Sequence, residues 1–265
     1  MFIPLHDDNP IRRTPVVTYV LVAVNVLVFI WSARLGDLQQ QLLVYRHGFV
    51  PLRIAQLSAR QPIVVPVEEV VHVSFFGSLE VQRPLQLDPN PREIWASLFT
   101  CMFLHGSWLH LLGNMWFLYL FGNNVEDRLG PLPYLILYLG GGLIASASHW
   151  LFEPRSTIPV IGASGAVAVI LGAYTIAWPW ARVQTLVFLL FFFTVIEVPA
   201  LVVNGVWFLG QLVAGQESLR RATAGGVAWW AHVGGFIAGA LLMPLFSALF
   251  ARNNNQPKWF DESDY

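Results

Sequence analysis

Charge is what this chain has least of: Asp, Glu, Lys and Arg make up 12% of its 265 residues, against roughly 25% in an ordinary soluble domain. So few charges cannot cover a globular surface, and with 55% hydrophobic residues the chain belongs in a bilayer. Its length is therefore counted in spans of about 20 residues rather than in soluble domains. Cysteine is almost absent as well. Cys101 stands alone, which excludes an internal disulfide, and its neighbours Thr100 and Met102 suggest no metal site, so neither metal nor cofactor is expected. A net charge of −1 leaves no basic footprint for nucleic acid. The N-terminus, MFIPLHDDNPIRRTP, turns apolar without a small-residue cleavage site after a short hydrophobic core, so the first apolar segment reads as a retained helix. No internal repeat or low-complexity tract is visible, and the paired-repeat architecture of many transporters finds no support.

What is present is a series of apolar segments at helical length. The reading is an all-α membrane protein, one domain over residues 1–265, with six transmembrane helices at about 15–32, 98–123, 132–151, 162–178, 183–213 and 227–250. A long extramembrane loop, 33–97, joins the first two helices, with an amphipathic look at FVPLRIAQL and strand-like alternation at VVPVEEVVHVSFF, and a frayed tail follows at 252–265. Six spans place both termini on one side. The short segments on that side carry Arg12, Arg13, Arg128, Arg182, Arg252 and Lys258, whereas the short links opposite carry Arg155, Arg220 and Arg221. That bias predicts cytoplasmic termini, and the localisation expected is multi-pass in the plasma membrane of a prokaryote.

Within the fourth segment, PVIGASGAVAVILGAY, Ser164 stands between small residues at a helix N-terminus that Pro159 and Gly162 open. About seventy residues later, AHVGG places His232 in the last segment. Ser164, Ala168 and Gly172 form an i, i+4, i+8 row, and His232, Gly235 and Gly239 an i, i+3, i+7 row. Small residues let helices approach closely in lipid, and close approach is what a hydroxyl needs to reach an imidazole at about 2.6 to 3.2 Å. A nucleophile also needs donors for the oxyanion it creates. Ser164 lies where early N–H groups lack intrahelical acceptors, while His110 and Asn114, four apart on the second helix, share one face. Polar side chains at this depth cost free energy and mark a site. The only acid within a span is Glu197, placed on the inner half of the fifth helix and given no catalytic role. The pattern is that of a Ser-His dyad without a third, acidic member.

Four stretches in this order, HGSWLHLLGN at 105–114, EDRLG at 126–130, GASG at 162–165 and AHVGG at 231–235, resemble the rhomboid intramembrane serine proteases, and the likeness extends over about 99–249. It implies a six-helix bundle with a water-filled cavity open to the outer side, a hydrolase that cleaves transmembrane protein substrates within the lipid bilayer, Ser164 as nucleophile and His232 as general base and acid. It further implies an oxyanion site from His110, Asn114 and the Ser164 N–H, a structural role near the site for His105, Gly162, Gly165, Gly235 and Gly239, and a gate at Trp207. Small residues at the cleavage site and helix-destabilising residues near it are expected in the substrate. Departures from the pattern include Ala168, where relatives often carry an aromatic that stacks on the histidine, Gly113, where they carry the gate residue's partner, and Ala96 after Trp95, where the family has a Trp-Arg pair, with one extra residue before His105 and a longer first loop. The rival readings are a non-catalytic relative that binds transmembrane helices and a small transporter or channel lined by His110, Asn114 and Ser164.

Overall fold

The computed structural model describes residues 2–73, 77–189, 192–221 and 227–251. Among them the chain forms β1 (Phe2–Asp7), α1 (Val16–Ser32), α2 (Asp37–His47), α3 (Arg53–Ala59), β2 (Ile63–Val73), β3 (Gly77–Leu87) and α4 (Pro91–Thr100). Then come α5 (Trp108–Leu129), α6 (Pro131–Phe152), α7 (Ser164–Ala177), β4 (Arg182–Leu189), β5 (Phe192–Pro199), α8 (Ala200–Arg221) and α9 (Trp229–Phe250). The architecture is mostly helical, with α7 at the centre: ten of its fourteen residues are buried, and α5, α6, α8 and α9 pack around it. The outer helix faces carry bare leucines such as Leu109 at 81% and Leu241 at 72% exposure. Apolar surface on that scale has no place in water. Among the described residues two helices, α6 and α9, are long and apolar enough to cross a membrane, and α1 and α7 are shorter apolar helices.

Three expectations are corrected. The fold is not all-α, because 183–189 and 192–199 are strands: β4 and β5 pair in antiparallel register from Arg182↔Pro199 to Leu189↔Phe192, and β1 pairs with the other edge of β4. A continuous apolar run has no period to separate strand from helix, and here the β-branched and aromatic content of RVQTLVFL and FFTVIEVP decides it. Glu197, expected on a helix, lies in β5 and forms an exposed ion pair with Arg182 at 3.3 Å. Residues 33–73 and 77–97 are structured rather than a plain loop. Its buried Arg53 guanidinium donates to the Asp88 carbonyl and to Glu93, and Gln56 donates to the Gln61 and Leu87 carbonyls, so α3, the end of β3 and α4 are tied together. Finally, the helix expected from 98 begins at Trp108. The chain first ends α4, makes a 3-10 turn at Cys101–Phe103 and extends to Ser107, whose Oγ accepts the His110 N–H at 3.2 Å as an N-cap. The expected tail, with Arg252 and Lys258, and the link residues 222–226 lie outside the described residues.

Two buried carboxylates fasten the N-terminal segment. Glu126, 3% exposed at the end of α5, accepts the Val17 N–H, the Thr18 N–H and the Thr18 hydroxyl, each at 2.8 Å. It thus caps α1 from another helix, which is what the EDRLG stretch contributes. Charge-assisted bonds are the stronger kind, and orphaning buried donors costs 1 to 3 kcal/mol or so each. Glu126→Ala is therefore expected to destabilise the protein by about 3 kcal/mol or more, read as a lower thermal midpoint in detergent.

Asp7, 4% exposed, accepts the Tyr174 hydroxyl at 2.6 Å. Burial pushes its carboxyl up to about 6, against a smaller opposing pull from the tyrosine bond. Its protonated form is thus favoured in the fold, so this contribution is complete below about pH 4 and is lost as pH rises through about 6. The loss is on the order of 3 kcal/mol. Asp7→Asn is expected to gain on wild type in thermal midpoint between pH 4 and 7; a constant difference across that range would contradict this.

Candidate active site

All the sequence-predicted residues except Gly239, which lies deeper along the α7–α9 seam, gather at one end of the bundle, where α5, α7 and α9 begin and α6 ends. The chain enters α7 through Gly162, whose φ of +114° suits glycine. A Cβ there would sit 2.5 Å from His110 Nε2 and 3.6 Å from Asn114 Nδ2, so both side chains of α5 converge on the residue two before Ser164. Neighbouring backbone groups are pinned: the Gly162 N–H donates to the Cys101 carbonyl at 2.9 Å, and the Ala163 N–H to His105 Nε2 at 3.4 Å. His105 in turn packs edge-on against His110, with ring centroids 5.0 Å apart. Asn114 is 7% exposed, and its Nδ2 is a buried donor with no hydrogen-bond partner among the described residues.

Ser164 opens α7, and the first intrahelical bond of that helix is Val167 N–H to the Ala163 carbonyl. The N–H groups of residues 164–166 are left free of helical acceptors. Across from it, α9 brings His232 Nε2 to 2.7 Å from Ser164 Oγ. The helices can approach so closely because their contact is bare of side chain. A Cβ on Gly235 would strike the Gly165 carbonyl, one on Gly239 the Val169 carbonyl, and one on Gly172 the Phe236 carbonyl. Gly165 itself faces Ala145 of α6, where a Cβ would stand at 2.9 Å.

The imidazole is held from α8. His232 Nδ1 lies 2.7 Å from Gln211 Oε1, and the Trp207 ring is tilted 36° to the imidazole at 5.8 Å, with Trp229 edge-on at 6.1 Å. Trp207 is thus beside the histidine, while Gly113 faces open space: a Cβ there meets nothing within 4 Å. Sequence reasoning missed Gln211 and also His149, a 4%-exposed side chain of α6. For Gln211 a signal existed, since it follows Trp207 by four residues and so shares its helix face.

These groups line a cavity of about 570 Å³ that includes Ser164, His232, His110, Asn114, His149 and Gln211. The links 153–161 and 227–228 contribute to its wall, so it lies toward the end where the helices are joined, not at mid-bundle. A hydroxyl bonded to an imidazole, beside free N–H groups and an unpaired amide donor, has the parts of a nucleophile, a base and an oxyanion site.

Residues 91–249 match the Rhomboid domain family. Rhomboid-like protein 11, chloroplastic, of Arabidopsis thaliana is 33% identical over 159 residues, which is 58% of this chain and 53% of that protein. Putative rhomboid protease YdcA of Bacillus subtilis is 36% identical over 80 residues, 30% of this chain and 40% of that protein. Presenilin-associated rhomboid-like protein A, mitochondrial, of Danio rerio is 33% identical over 82 residues, 30% of this chain and 21% of that protein. The chain matches about half the length, or less, of each of these curated relatives.

Proposed function

The chain belongs to the rhomboid family, a family embedded in membranes, and from that premise we propose that it is a serine endopeptidase cutting transmembrane protein substrates near the membrane face onto which the cavity opens. The observation that carries the reading is the 2.7 Å approach of His232 Nε2 to Ser164 Oγ inside a cavity that also holds oxyanion donors. Helices α1, α5, α6, α7, α8 and α9 are the six spans in this reading, residues 33–97 and the β1-β4-β5 sheet lie outside the hydrocarbon at opposite ends, and both termini share the cytoplasmic side. The relatives' names point to a chloroplast, mitochondria and a bacterium, and so do not support a prokaryotic plasma membrane in particular.

In the reaction, the substrate carbonyl carbon accepts the Ser164 Oγ lone pair while His232 Nε2 takes the hydroxyl proton. The oxyanion receives hydrogen bonds from the Ser164 N–H, Asn114 Nδ2 and His110. Collapse breaks the C–N bond, and His232 returns the proton to the leaving amine. Water from the cavity then attacks the acyl-enzyme with His232 again as base, restoring Ser164 and releasing the acid. Trp207 and the empty space at Gly113 stand on the α5 and α8 sides of the cavity, which makes that side the entry for a substrate helix. Small residues at the cut and weak helix formers beside it suit this geometry, because the segment has to unwind to present a carbonyl.

The test is reconstitution of the purified protein in liposomes with a transmembrane substrate labelled at both ends. Two fragments, cut within a few residues of one membrane boundary, are expected. An intact substrate that co-purifies would favour the helix-binding relative, and ion flux without cleavage the channel; either outcome contradicts the proposal.

A further inference from the structure

We propose that Gln211 is the positioning residue of the catalytic histidine: through its amide oxygen it accepts the His232 Nδ1–H and keeps Nε2 bare toward Ser164. This rests on the reading of Ser164 and His232 as the dyad. His232 carries two hydrogen bonds of 2.7 Å on its two ring nitrogens, one to Ser164 Oγ and one to Gln211 Oε1. In a neutral imidazole one nitrogen donates and the other accepts, and the partner on one fixes the role of the other. A carboxamide oxygen can only accept. With it on Nδ1, that nitrogen must carry the proton, and Nε2 is the lone pair that can take the Ser164 proton. Were the amide turned so that its NH₂ met Nδ1, the proton would sit on Nε2 and the ring could not act as base toward Ser164.

The position also answers what this site lacks. No carboxylate is bonded to His232 among the described residues, and Ala168, where the family pattern often carries an aromatic, has only a methyl, which faces Gly235. Orientation therefore comes from α8, which presents Trp207 and Gln211 one helical turn apart on the same face. Both line the cavity with His232. As the imidazole becomes imidazolium during attack, Oε1 faces the nitrogen that shares the new charge, so the bond tightens in the transition state, where strengthening accelerates the reaction.

The experiment uses the full-length purified protein with Gln211→Met, an unbranched apolar replacement, Gln211→Leu as a second, and Gln211→Glu, which restores an acceptor oxygen. Cleavage kinetics, the rate of Ser164 labelling by a fluorophosphonate and the thermal midpoint are read for each. Gln211→Met and Gln211→Leu are expected to lower kcat about 10- to 100-fold, the range typical of losing a partner that orients a functional imidazole, with KM unchanged and labelling slowed in parallel. Gln211→Glu is expected to recover kcat to within a few-fold of wild type. Full kcat in a folded Met or Leu variant, or a folded Glu variant as slow as those two, overturns the proposal. If neither apolar variant folds, the Glu variant decides: wild-type-like labelling supports the role, and labelling as slow as that of His232→Ala overturns it. Ser164→Ala in the same assay separates the two levels, since activity in that variant removes the dyad itself, whereas its silence beside a fully active Gln211→Met removes only the positioning role.

Discussion

Ser164→Ala and His232→Ala are each expected to reduce cleavage of a transmembrane substrate to background, a loss of about 10⁴-fold or more, while leaving the bundle folded. Removing Oγ takes away the atom that forms the acyl bond, and no other hydroxyl in the described cavity lies within bonding reach of His232. Removing the imidazole leaves the hydroxyl without a proton acceptor. The two losses should not add, because both side chains serve one step, and the double variant is expected to be no slower than either single one. Thermal midpoints close to wild type would show that chemistry rather than folding has been lost. Turnover in either single variant would remove the dyad.

The second large effect is expected at the seam between α7 and α9. Gly239→Ala introduces a methyl where the Val169 carbonyl already stands, and Gly235→Ala does the same against the Gly165 carbonyl. Backbone cannot yield as a flexible side chain does, so the helices have to part. The Ser164 to His232 separation of 2.7 Å then opens beyond hydrogen-bond reach. A misplacement of roughly 1 Å costs about 10²-fold in rate, so each variant is expected to lose kcat by about that factor along with some stability. Gly140→Ala on α6 is the control, since a Cβ there meets nothing within 4 Å and the residue is not among those lining the cavity; it should fold and cleave like wild type. Equal kcat in Gly239→Ala and wild type would mean that close approach of the two helices is not what couples them.

How much of this was legible in the sequence depends on what kind of signal each part left. The rows Ser164, Ala168, Gly172 and His232, Gly235, Gly239 could be read because small residues at helical spacing in an apolar run have few other uses, and the structure does set these helices face to face. The convergence of His110 and Asn114 was readable from their spacing of four. The β4–β5 pair was not: the apolar run Leu186–Phe193, followed closely by Val195 and Ile196 and then by the apolar start of α8, looks like part of one long span, and only pairing with β1, distant in sequence, reveals the strands. The start of α5 was hidden in the same way, although Gly106 and the cap Ser107 marked it. Gln211 was not legible because the group expected to orient a histidine paired with a serine is a carboxylate. A neutral amide serves where a buried charge would be costly.

The central claim, that Ser164 is a nucleophile activated by His232, is tested most directly by treating the purified protein with a fluorophosphonate and mapping the adduct by mass spectrometry. The account predicts a single adduct on Ser164, formed far more slowly in His232→Ala and absent in Ser164→Ala. An adduct on another residue, or labelling undiminished in Ser164→Ala, would contradict it.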